Sequence, residues 1–124
     1  MTGAMSIERI NEHVAQAVRI AIDHHAVLLK ADELDALLEH LSVIRANMHP
    51  EVPRVPSPTH QYVVEFDPCW LAEKHPLYDG TVLFLRHAGL GWTGFALPTH
   101  SLKQLKDEFT QLLEASLEPR GLPN

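Results

Sequence analysis

Nine of the 124 residues are histidine, and imidazole is the side chain that titrates near neutral pH and ligates transition metals most often. The nine are His13, His24, His25, His40, His49, His60, His75, His87 and His100. A zinc site on a helix needs two imidazoles three or four residues apart, so that both lone pairs reach one ion. No two of these histidines have that spacing, and Cys69, the single cysteine, has no second thiol to join it. The sequence therefore predicts no bound metal and no cofactor. A histidine-based metal- or ligand-sensing domain that also uses the Trp70–Asp79 loop is the alternative reading, since several imidazoles protonated together would add positive charge to an acidic chain. Cys69 with His75, and Ser101 with His100, are the available nucleophile–base pairs. Such near neighbours seldom align, and no glycine turn leading into a helix supplies oxyanion donors at either. Asp32, Glu33 and Asp35 read as charges at a helix start, where the dipole favours them.

The string Leu85-Arg86-His87-Ala88-Gly89 resembles the Arg-His-Gly signature of the histidine phosphatase family. That resemblance implies a phosphohydrolase in which His87 takes the phosphoryl group while Arg86 holds its oxygens. The likeness departs at Ala88, where the family has glycine. The family also opens its chain with the motif and places a second His and Arg after a long α/β sheet. This chain offers only His100 and Arg120 beyond the string. The sequence is therefore read as a non-enzyme, with the phosphohydrolase as the third reading.

What remains suits contact rather than turnover. Phe84, Arg86 and Trp92 fall on one face of a strand pair, His87 adjoins them, and Trp70 and Tyr78 stand in the segment just before. Exposed aromatics beside arginine are the composition enriched in protein interfaces. These six are the candidate partner-binding residues. The expected function is a small acidic protein-interaction or regulatory module of adaptor, inhibitor, immunity or chaperone type. Its partner is another protein, a second copy of itself, or both. In size, charge and mixed layout the chain is similar to the small acidic secretion chaperones. The formal charge of −6 and the absence of a Lys/Arg run exclude a phosphate-tracking surface, so no nucleic acid is expected. No apolar run approaches the roughly 20 residues that span a bilayer. With one cysteine and no basic-then-apolar leader, the expected compartment is the cytoplasm.

The elements that must position these residues are read as one α+β domain over 1–124: helices in 6–48, a connector at 49–59, and a sheet with its helix in 60–118. Ile7, Ile10, Val14, Ala17, Val18, Ala21, His25 and Leu28 recur at helical spacing, which predicts a first helix from Ser6 to Leu29. Asp32 caps a second helix ending near Asn47, and the short break between the two predicts an antiparallel helical hairpin. Four prolines at 50, 53, 56 and 58 make the next segment an extended connector. The alternation of Tyr62, Val64 and Phe66 predicts a first strand over His60–Phe66. Asp67-Pro68 then opens a short helical turn through Cys69–Ala72. Thr81–His87 and Trp92–Leu97 read as a hairpin closed by Ala88-Gly89-Leu90-Gly91, completing a small three-stranded antiparallel sheet. Gly94 marks a bulge or a close neighbour. From Ser101, whose hydroxyl and Gln104 fit a capping box, a C-terminal amphipathic helix carries Leu102, Leu105, Phe109, Leu112, Leu113 and Leu117 onto the sheet, and ends near Glu118.

Overall fold

The computed structural model of the chain describes residues 4–11 and 15–117. The expectations placed on His13 and Val14, and on the helix end near Glu118 with Arg120 behind it, lie outside the described residues. The chain divides into two compact units, Met1–Val63 and Val64–Asn124.

The first unit overturns the predicted helical hairpin. Where a helix was expected it has three strands, β1 (Met5–Asn11), β2 (Gln16–Ile22) and β3 (His25–Lys30), forming an antiparallel sheet in the order β1-β2-β3. The pairing sets Ile7 against Ile20 and Ile20 against Val27. Residues directly opposite share a face, so Met5, Ile7, Val18, Ile20, Ile22, Val27 and Leu29 all lie on one side. Period two also takes in Ile20, Ile22 and Val27, which lie outside the helical stripe. β-branched side chains also lose rotamer freedom in a helix and fit a pleated surface. On the opposite side Arg19 reaches across its register partner Glu8 at 3.5 Å. The link from β2 to β3 is Asp23-His24, with Asp23 at φ 56°, a left-handed conformation that Asp tolerates better than most residues.

Helix α1 (Ala31–Ala46) follows β3 directly and packs on β2 and β3 through a half-buried side of Leu34, Leu37 and Leu38. Its first turn is not capped by Asp32 in the expected way. The Lys30 amide donates to Glu33 Oε1 at 2.9 Å, and the Glu33 amide donates to Asp32 Oδ1 at 3.0 Å. At the other end the Asn47 side-chain amide donates to the Val43 carbonyl at 2.9 Å, closing the last turn. The proline-rich segment that follows has neither helix nor strand. The predicted strand at His60–Phe66 is absent too. Tyr62 turns back on the connector, its hydroxyl accepting the Ser57 amide at 2.8 Å and its ring 4.5 Å from that of His60.

The second unit has β4 (Trp70–Lys74), β5 (Gly80–His87) and β6 (Gly91–Pro98) in an antiparallel sheet ordered β4-β5-β6, then α2 (Thr99–Leu117). Its first strand lies where a helical turn was predicted. Asp67, at φ 47°, is in the left-handed region and does not open a helix before Trp70. The helix begins at Thr99, immediately after Pro98, so Ser101 sits inside the first turn rather than capping it. Leu102, Leu105, Phe109 and Leu113 of α2 face Ala72, Thr81, Leu83 and Leu97 of the sheet across an apolar cleft. Both units thus repeat one order, a three-stranded meander followed by a helix, with no repeat evident in the sequence. Among the described residues only Ala21 is buried, at 8% exposure.

Candidate interaction face

With α2 on the Leu83 side of the second sheet, the other side is defined by the register. Leu71 pairs with Phe84 and Phe84 with Gly94, Glu73 pairs with Val82 and Val82 with Ala96, and Arg86 pairs with Trp92. Leu71, Glu73, Phe84 and Trp92 line one shallow depression. Leu71 is 49% exposed, Trp92 is 55% exposed, and Phe84 and Val82 are half-buried. Of the two expectations for Gly94, the close neighbour holds and the bulge does not. The pairing runs through it without interruption, and a Cβ there would sit 2.8 Å from the Phe84 ring, so the ring occupies the space a side chain would need. Glu73 and Arg86 are exposed, and among the described residues neither has an ion-pair partner.

Of the six candidate residues, Phe84, Arg86 and Trp92 share this face. Trp70 and His87 belong to the opposite side, because Trp70 pairs with Leu85 and His87 follows Arg86 on the same strand. Tyr78 lies in the loop between β4 and β5, with its ring 4.8 Å from that of His75. Leu71 was missed because Cys69–Ala72 was read as a helical turn, and Glu73 because it fell just beyond that turn. The signal was slight: a five-residue strand with one charge on each alternate face.

Histidine has a different part in this unit. His87 Nδ1 accepts the amides of Gly89 and Leu90, each at 3.0 Å, while Glu65 Oε1 accepts the amide of Ala88. All three donors of the β5–β6 turn are thereby taken up by side chains. Glu65 Oε1 also approaches that nitrogen, at 3.8 Å, beyond hydrogen-bond distance. His75 Nδ1 repeats the device, accepting the amides of Leu77 at 3.0 Å and Tyr78 at 3.1 Å. These two histidines cap the loops on either side of β5. Arg86 and His87 leave their strand on opposite faces. Among the described residues no three His, Cys, Asp or Glu side chains stand close enough to hold one metal ion, and no helix is long and apolar enough to cross a membrane.

No family model, no curated protein and no solved structure matches the chain.

Proposed function

We propose that the chain is a small acidic, non-enzymatic protein-interaction or regulatory module that works in the cytoplasm by docking protein on the open face of the β4-β5-β6 sheet. The observation that carries this reading is the apolar group of Leu71, Phe84 and Trp92 on a sheet face opposite the helix, with Leu71 and Trp92 about half exposed. A solvated antiparallel face ordinarily alternates to polar side chains. Here it does not, and an apolar centre rimmed by Glu73 and Arg86 has the anatomy of a docking surface, with an aromatic anchor inside and charge at the edge.

Replacing Trp92 by alanine tests the reading. A side chain that serves docking leaves the melting temperature within about 4 °C of the parent while association, followed by sedimentation or native mass, is lost. A fall of more than about 10 °C, equivalent to roughly 2 kcal/mol or more in a chain of this size, would place Trp92 in the core and remove the proposal.

A further inference from the structure

The open face has the symmetry needed to bind itself. An isologous dimer requires a patch whose features exchange under a two-fold axis. On this sheet Phe84 is central, paired with Leu71 on one side and Gly94 on the other. Along the strand direction, Glu73 stands level with Val82, two residues to one side of Phe84, and Arg86 stands two residues to the other. An axis lying in the plane of contact and crossing the strands at Phe84 exchanges these two ends. It sets Glu73 of one copy at the Arg86 end of the other, twice, around a centre of Leu71 and Phe84, with Trp92, the register partner of Arg86, at that same end. Both charged groups are exposed, and among the described residues neither has an ion-pair partner within the chain. Two chains of formal charge −6 repel each other at long range, and this is a face where their approach brings unlike charges together.

A second copy is also the one partner present whenever the chain is made. We infer that the occupant of the open β4-β5-β6 face is the same face of a second copy, in a two-fold dimer held by Leu71, Phe84 and Trp92 and set in register by Glu73 and Arg86. This rests on the docking reading above and names its partner.

The test uses the full chain with Glu73→Arg and Arg86→Glu, made separately and measured by sedimentation over a range of concentrations. The parent sediments as a dimer. Each reversal alone places like charges at both contacts and raises the dissociation constant by about tenfold or more. Mixing the two variants in equal amounts restores a dimer, because in the mixture each reversed residue again faces its opposite. The chain carrying both reversals also dimerises, within about threefold of the parent. A parent that stays monomeric at every concentration overturns the inference, as does a dimer indifferent to both reversals, or two weakened variants that fail to recover on mixing. The docking reading is separable from all of these: it falls with the melting temperature of Trp92→Ala, whereas the dimer stands or falls with charge exchange.

Discussion

His87 is the residue where sequence and structure part most instructively. Beside Arg86 it has the look of a reactive imidazole, yet its Nδ1 is spent on the amides of Gly89 and Leu90. A turn so closed is supported by the acceptor, not by the ring. His87→Ala should therefore lower stability by about 1 kcal/mol, and His87→Asn, whose side-chain oxygen can receive the same amides, by clearly less. Amide exchange at Gly89 and Leu90 provides the sharper check. Both should quicken in the alanine variant and stay slow in the asparagine variant; equal protection in the two would mean that the turn holds without help. The histidine count was legible from the start, but the role was not. Nothing in the residue type distinguishes a ring offering a lone pair to its own backbone from one offering it to a metal, because both need only an unprotonated nitrogen in a loop.

At the scale of elements, local signals succeeded where one period dominated and failed where two competed. Strands at Gly80–His87 and Gly91–Pro98 and a helix through Leu102–Leu113 stand where alternation, glycine placement and a three-to-four spacing are each unambiguous. Over residues 6–29 apolar side chains are so frequent that they satisfy a helical stripe and a strand face at once. The β-branched set Val18, Ile20 and Ile22 ahead of Asp23 decides for the sheet. The open face was half legible: Phe84, Arg86 and Trp92 follow from alternation on the hairpin, whereas Leu71 and Glu73 required a third strand that the Asp67-Pro68 signal concealed. Gly80 shows how tightly that sheet is joined, since a Cβ there would run into the Leu97 carbonyl across the strand pair. Backbone cannot step aside as a side chain does, so Gly80→Ala should cost roughly 2 kcal/mol or more. Thermal melting checks it, and an unchanged midpoint would mean that the β5–β6 pairing is looser than its register implies.

For the whole molecule, the governing fact is that apolar side chains outnumber the places that hide them. Among the described residues Ala21 alone is buried, while Leu34, Leu37, Leu83 and Phe84 are half-buried, so part of the apolar surface stays in contact with water. A dimer of the kind inferred adds to the monomer's own stability, and mass action makes that measurable. The melting temperature should rise with protein concentration, by a few degrees for each tenfold step. A midpoint independent of concentration over two decades would show that the folded monomer sustains itself. The last residue of β6 is Pro98 and the first of α2 is Thr99, with nothing between them. Strand and helix are consequently locked in phase. One added residue at that seam would swing the leucine stripe about 100° around its axis and off the sheet, so the junction's length is as fixed a part of the design as any side chain it carries.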